Sequence, residues 1–149
     1  MKKKVFAYIT QNDRLLVFEQ PDSPEAGIQV PAGSLEINET PEAGALREAQ
    51  EETGLEVLSV VRFLGEQTRD MSDYDKQEIH HRYFYHLICE QDTPETWLHG
   101  ERFPSDQPHH DGSITHLFRL YWVEIGQLPK LIADHDFYIE ELSHYLRSD

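Results

Sequence analysis

Short apolar runs broken by polar turns set the pattern of the chain. Val5-Phe6-Ala7-Tyr8-Ile9 and Leu15-Leu16-Val17-Phe18 are continuous runs rich in β-branched and aromatic residues, and the polar Gln11-Asn12-Asp13-Arg14 between them reads as a hairpin turn. Pro21 to Gly27 is a loop, and Ile28-Gln29-Val30 is a brief strand running into Pro31-Ala32-Gly33. Thr40 to Thr53 predicts a helix, with Thr40 as N-cap, Pro41 at the first helical position and Gly54 as a left-handed stop. Leu55 to Phe63 alternates weakly as a strand, and Glu78 to Glu90 is a second, aromatic-rich one. Asp92 to Ser113 reads as a long polar loop carrying Pro94, Pro104 and Pro108. His116 to Glu124 is a further strand, and Asp136 to Arg147 closes the chain as a helix with Ile139, Leu142 and Leu146 spaced for packing. Strands dominate, with one helix in the middle and one at the end. That order predicts an α+β or α/β sandwich whose helices cover a mixed sheet.

The length, 149 residues, suits a single domain spanning 1–149. No apolar run approaches the roughly 20 residues of a membrane span. Met1-Lys2-Lys3-Lys4 has the charge of a signal n-region, but Val5 to Ile9 is too short for an apolar core and runs straight into Thr10-Gln11-Asn12-Asp13. One cysteine, Cys89, leaves no internal disulfide and no multi-cysteine zinc site, and on its apolar strand it reads as a small buried hydrophobe. These features predict a cytoplasmic protein. Thirteen basic against 28 acidic residues give a net charge of −15, which argues against a non-specific grip on nucleic acid and fits a protein that holds cations.

The helix concentrates the chemistry. Advancing about 100° per residue, Leu46, Ala49 and Thr53, with Ala45 at the margin, fall on one side, and Glu48, Glu51 and Glu52 gather on another. Like charges at this spacing oppose the helix by a few tenths of a kcal/mol per pair, and they sit toward the C-terminus, where the macrodipole disfavours anions. A divalent cation reverses the sign of that cost, and carboxylate oxygens are the donors that Mg²⁺ or Mn²⁺ prefers.

From Gly33 through Glu39 and Arg47 to Glu48-Ala49-Gln50-Glu51-Glu52-Thr53-Gly54-Leu55, the segment resembles the Nudix box, G-x5-E-x7-R-E-U-x-E-E-x-G-U with U a bulky aliphatic residue. Ala49 is small for U, and Pro31-Ala32-Gly33 departs from a common Pro-Gly-Gly form while keeping the box glycine. The resemblance implies a loop–helix–loop in an αβα sandwich with a mixed β-sheet. It also implies hydrolysis of a nucleoside diphosphate linked to another moiety, with Mg²⁺ or Mn²⁺. By position it implies Glu48 and Glu52 as principal metal ligands, Glu51 as a ligand directly or through water, and the carbonyl of Gly33 as a further one. It also implies that Arg47 orients these glutamates by ion pairing and that Glu39 braces the loop.

Pyrophosphate is kinetically inert because its oxygens repel nucleophiles and its leaving group is charged. Divalent ions ease both problems by lowering the pKa of bound water and neutralising the phosphate oxygens, and a carboxylate then receives the water's proton. Glu48 or Glu51 serves as that base, Glu48 being the first choice, since family members differ in which glutamate acts.

Weaker signals surround the box. Glu95, Glu101 and Asp111 are candidates for the extra acidic ligand that many Nudix enzymes take from a downstream loop, or are plain loop acids. Arg82 shares a strand face with His80 and His86, either as a basic row for terminal phosphates or as the solvent face of an edge strand. Tyr74 and Trp97 lie in polar surroundings as candidate base-stacking residues, whereas Phe6, Tyr8 and Phe18 read as core. His80-His81 and His109-His110 lack zinc-ligand spacing.

No proline lies between Leu55 and Gln91, unlike many ADP-ribose hydrolases of the family, and Glu78-Ile79-His80-His81-Arg82-Tyr83 is similar to basic strands in members that take polyphosphate chains, a resemblance that implies nucleoside triphosphates or dinucleoside polyphosphates ahead of nucleotide sugars. The expected partner is thus a small nucleotide, with no membrane and with a homodimer left open. The alternative is a non-catalytic Nudix domain that senses a nucleotide or binds a partner; the intact glutamates favour the enzyme. An isoprenoid diphosphate isomerase would need a catalytic cysteine, and only Cys89 is available.

Overall fold

The computed structural model describes residues 1–101 and 116–148. Its regular elements are β1 (Lys2–Gln11), β2 (Arg14–Glu19), β3 (Ala32–Ser34), α1 (Pro41–Thr53), β4 (Leu58–Asp70), β5 (Ile79–Cys89), β6 (Thr96–Glu101), β7 (His116–Glu124) and α2 (Ile139–Ser148). The strands form one mixed sheet in the order β4-β5-β1-β2-β7-β6, with β3 also paired to β1. β1 and β5 run parallel, from Lys2 opposite His80 to Thr10 opposite Ile88. The other pairings are antiparallel.

Both faces of the central strands are covered, which explains why β1 is an unbroken apolar run and not an alternating one. Val5, Ala7 and Ile9 face α1 and pack with its Ala45 and Ala49, joined by Phe18, Leu87 and Leu120. Phe6 and Tyr8 face the other way and pack with Leu142 of α2, Leu15, Val17 and Phe84. The mixed sheet between two helical layers is the sandwich that the residue pattern predicts. Phe6, Tyr8 and Phe18 are core residues, as expected, and Cys89 is buried.

The helix α1 starts and stops as its sequence predicts. Thr40 Oγ1 accepts from the Ala43 amide at 3.2 Å, Pro41 opens the first turn, and Gly54 at φ 76° closes the last by donating to the Gln50 carbonyl at 2.9 Å. Four readings are corrected. Ile28–Val30 contributes only a single bridge, Gln29 to Phe18, and the strand lies further on, at β3. The strand expected to end at Phe63 continues to Asp70, held by eleven antiparallel partners on β5. The presumed loop after Asp92 contains β6, which pairs with β7 from Thr96 opposite Tyr121 to Glu101 opposite His116. The last helix begins at Ile139 because Asp136 is used as a turn residue, its carboxylate accepting from the Leu131 amide.

Candidate active site

Two carboxylates of α1, those of Glu48 and Glu52, meet the short strand β3, and the backbone decides how closely. The Ala32 amide donates to Glu52 Oε1 at 2.9 Å. Gly33 lies directly against Glu48: a β-carbon at Gly33 would overlap the Glu48 carboxylate. Glu48 is 1% exposed and Glu52 6%, so the helix turns two acidic side chains inward beside Ala45 and Ala49. Buried carboxylates are rarely tolerated without partners.

Arg47 supplies much of the compensation. Its Nε and Nη2 form a two-pronged bond to Glu39, at 2.7 and 2.9 Å, while Nη1 donates to Glu48 at 2.9 Å and to Glu51 at 3.3 Å. Nη2 also donates to the Ser34 carbonyl at 3.1 Å, tying the helix to the strand. Glu39 accepts in addition from the Glu36 amide at 3.0 Å, so it braces the loop while holding Arg47. The Arg47 hydrogen bond keeps the Glu39 carboxyl below its ordinary range. Partial burial pushes the Glu51 carboxyl up, and that effect outweighs the opposing pull of Arg47.

The C-terminal end of α1 is fixed by Trp97, which the sequence offered only as a stacking residue, and by His99, which it did not mark. Trp97 Nε1 donates to the Thr53 carbonyl and His99 Nε2 to the Glu51 carbonyl, each at 2.9 Å. Both side chains come from β6, so the strand hidden in a polar stretch caps the helix that carries the glutamates. Trp97 is therefore a structural anchor and not a free stacking platform.

Gly33, Arg47, Glu48, Glu51 and Glu52 are brought together at the β3–α1 contact. Among the described residues, no three His, Cys, Asp or Glu side chains stand as a ready-made cation site. The carboxylates are instead shared between the Arg47 guanidinium and the β3 backbone. Their donor set still suits a hard divalent ion: it is all oxygen, from Glu48, Glu51, Glu52 and the Gly33 carbonyl, and the missing side chain at Gly33 makes room for the buried Glu48. Glu95 is turned away, its exposed carboxylate pairing with Arg14 at 3.1 Å. Glu101 closes β6 opposite His116, and Asp111 lies outside the described residues.

Arg82 is 2% exposed, because β5 sits between β4 and β1 and not at an edge. The face shared by His80, Arg82 and His86 is thus the buried one, which corrects the solvent-face alternative. Arg82 and Tyr74 both line a cleft of about 680 Å³ that reaches Ala32 and Gly33 and also includes Lys4, Lys76 and His80. The Tyr74 hydroxyl accepts from the Ala133 amide at 3.2 Å.

Comparison with known proteins places this geometry. The model of the NUDIX domain family matches residues 2–144. The chain is 33% identical over 114 residues to an RNA pyrophosphohydrolase of Zymomonas mobilis, covering 75% of this chain and 71% of that protein. Among solved structures it is similar to the E. coli dihydroneopterin triphosphate pyrophosphohydrolase, with a TM-score of 0.68 and 14% identity over 99% of this chain and 96% of that one. It is also similar to a UDP-X diphosphatase, with a TM-score of 0.63 and 17% identity over 99% of this chain, but spans only 63% of that protein's length. At these identities the two structures speak for the fold alone. No helix among the described residues is long and apolar enough to cross a membrane.

Proposed function

The chain belongs to the NUDIX domain family, and on that premise we propose that it hydrolyses a diphosphate linkage in a nucleoside diphosphate derivative with Mg²⁺ or Mn²⁺. It is a Nudix-type diphosphohydrolase, acting on phosphorus anhydrides. One observation carries the metal-dependent reading: two buried carboxylates, Glu48 and Glu52, are held against the backbone of Ala32 and Gly33, on a helix whose charge pattern opposes them.

In this reading Glu48, Glu52, Glu51 and the Gly33 carbonyl hold the ion. When bound, such an ion neutralises phosphate charge and acidifies water. The chain's own groups do the rest. Arg47 orients Glu48 and Glu51 through one shared nitrogen, and Glu39 holds Arg47 in place. The proton of the attacking water passes to Glu51 or Glu48. The Glu51 side chain is 38% exposed against 2% for Glu48, so Glu51 is the more accessible to water, and the order of preference read from the sequence is reversed. β6 keeps the helix end fixed through Trp97 and His99, so that the carboxylates do not drift.

Nucleoside triphosphates or dinucleoside polyphosphates remain the favoured substrates, because Arg82 and the lysines of the cleft lie next to Gly33. The Zymomonas mobilis relative is named for RNA pyrophosphohydrolysis, so 5′-triphosphorylated RNA belongs beside them. The test is a substrate panel of nucleoside triphosphates, dinucleoside polyphosphates, ADP-sugars and capped or triphosphorylated RNA, with Mg²⁺ or Mn²⁺ and with product identification. Turnover is expected with at least one member. Glu52→Gln, which keeps shape and removes charge, is expected to lower it by about a hundredfold or more while the fold survives. Turnover of that variant near the parent level defeats the metal-ligand assignment. No turnover of any substrate, with a nucleotide still raising the melting temperature, replaces the enzyme by a nucleotide sensor.

A further inference from the structure

The Ala32 amide can hold Glu52 only if the chain leading into β3 is itself held, and that chain has few donors to hold it by. The Gln29 amide donates to the Phe18 carbonyl at 3.0 Å, Pro31 has no amide, and the Ala32 amide is given to Glu52. Val30 is fully buried and has one amide to place. It goes to a side chain from the far end of the sequence, the Val30 amide donating to His135 Nδ1 at 3.1 Å. The same ring meets Phe6 edge-on at 4.9 Å, and Phe6 is the β1 residue opposite Ala32. His135 therefore supports Ala32 from two directions, along the chain through Val30 and across the sheet through Phe6.

The segment that presents His135 is held under strain. Ala133 and Asp134 are consecutive non-glycine residues at φ 47° and 62°, in the left-handed region that a β-carbon disfavours. Partners on several elements keep them there. Arg82 Nη1 donates to the Ala133 carbonyl at 2.6 Å, the Ala133 amide donates to the Tyr74 hydroxyl at 3.2 Å, and the Asp134 carboxylate accepts from Arg69 at 3.0 Å and Gln67 at 3.2 Å. The Tyr8 hydroxyl donates to the His135 carbonyl at 2.6 Å and accepts from the Tyr138 amide at 3.1 Å. The Ile132 amide donates to the Ile28 carbonyl at 2.9 Å. Backbone strain persists only where the surroundings over-determine it, and it gathers where a group must be held in one place. Here the group at the end of the strained turn is the His135 ring. Because Nδ1 accepts, the ring proton sits on Nε2, which fixes the tautomer.

We propose that His135 is a positioning residue for the metal site: it fixes Val30, and through Val30 and Phe6 it keeps the Ala32 amide on Glu52 and the Gly33 carbonyl beside Glu48. The proposal rests on the metal-dependent reading of Glu48, Glu52 and Gly33. Its force is transmitted through two residues of backbone, Val30 and Pro31, and needs no contact between His135 and the ion. The residue lies about a hundred positions from the segment it supports, so the C-terminal part of the chain, and not only the box, sets the geometry of the carboxylates.

The test uses the full chain, first without metal and then with it. His135→Leu removes the acceptor, and His135→Asn puts a side-chain oxygen in the place of Nδ1. Tyr8→Phe unties the His135 carbonyl while keeping the ring, and Leu146→Ala lowers stability at the far end of α2. Melting curves confirm that each folds. Without metal, the Ala32 amide in His135→Leu is expected to exchange with solvent about tenfold or more faster by NMR, with the β7 amides changed no more than in Leu146→Ala. In calorimetric titration, Mn²⁺ is expected to bind His135→Leu about tenfold or more weakly, His135→Asn within about threefold of the parent, and Leu146→Ala as it binds the parent. Tyr8→Phe, the gentler change, is expected to weaken Mn²⁺ binding by about threefold and decides the matter if His135→Leu does not fold. With an active parent, the loss falls on kcat and on the metal concentration for half-maximal rate. Parent-like Mn²⁺ affinity in His135→Leu and Tyr8→Phe, or an equal loss in Leu146→Ala, leaves His135 a structural residue and overturns the proposal. So does a loss that His135→Asn does not restore, or one confined to KM for the nucleotide, which would make His135 a wall of the cleft. A parent that takes up no Mn²⁺ defeats the metal reading alone, and the exchange rate at Ala32 still decides for or against His135.

Discussion

Gly33 and Glu48 are in such close contact that the carboxylate of one occupies the place where the other would carry a side chain. β3 cannot move back to relieve a larger residue, because Gly33 is paired with Val5 on β1, in the middle of the sheet. Gly33→Ala should therefore turn Glu48 away from the β3 backbone and weaken Mn²⁺ binding by about 10–100-fold, with a comparable loss of turnover. Calorimetric titration with Mn²⁺ and steady-state kinetics check this. Metal affinity equal to the parent's would show that Glu48 is not a ligand in the position assigned to it.

Arg47 is a positioning residue whose value lies in its fork. It reaches Glu39 with two nitrogens and shares a third contact between Glu48 and Glu51. A lysine keeps the charge and loses the simultaneous geometry. Arg47→Lys is expected to lower kcat by about 10–100-fold and to raise the metal concentration needed for half-maximal rate, with KM for the nucleotide little changed. A rise confined to KM would instead make Arg47 a substrate-binding group.

Gly65 is the point where β4 bulges and the ring of Tyr138 enters. A β-carbon at Gly65 would overlap that ring, whose hydroxyl donates to the Glu66 carbonyl at 2.5 Å. Gly65→Ala should destabilise the fold by about 1–3 kcal/mol. In a Tyr138→Ala background the same change should cost far less, because the residues it strikes are gone. Urea denaturation of the four proteins of that cycle measures the coupling, and additive losses would contradict it.

The local parts of the structure were legible in the sequence. Thr40, Pro41 and Gly54 bound α1 because capping is decided by a few neighbouring residues, and the box glutamates identify their family because the spacing lies in one continuous segment. Features made by distant pairing were not. β6 was hidden because Thr96–Glu101 is polar and follows Pro94; its extended form comes from β7, and its function from Trp97 and His99 reaching α1. The alternation of β5 correctly grouped His80, Arg82 and His86, but it cannot say which side is inside without the position of β5 in the sheet. The cleft joins Lys4, Lys76 and Arg82 from three segments, so the only signal available in advance was the basic residue on an apolar strand.

His135 makes acid stability a test of the packing beneath that cleft. It is buried, its Nδ1 accepts from the Val30 amide at 3.1 Å, and its ring meets Phe6 edge-on at 4.9 Å. Burial pushes its pKa down to about 3, helped by the nearby Arg82 and Arg69 and opposed by Asp134. An unfolded histidine titrates near 6.5, so between about pH 3 and 6.5 the unfolded chain binds a proton that the folded chain refuses. Stability therefore rises with pH across that window, and His135 removes it as the solution is acidified from 6.5 toward 3. The contribution approaches about 1.4 kcal/mol per pH unit in the middle of the window. His135→Asn offers an oxygen to the Val30 amide without a titrating ring. It should be less stable than the parent at pH 7.5 and should lose stability more slowly on acidification, by about one proton's worth of slope. Urea midpoints at pH 4.5, 5.5, 6.5 and 7.5 give both slopes, and parallel lines for the two proteins would mean that His135 takes up its proton in the folded state.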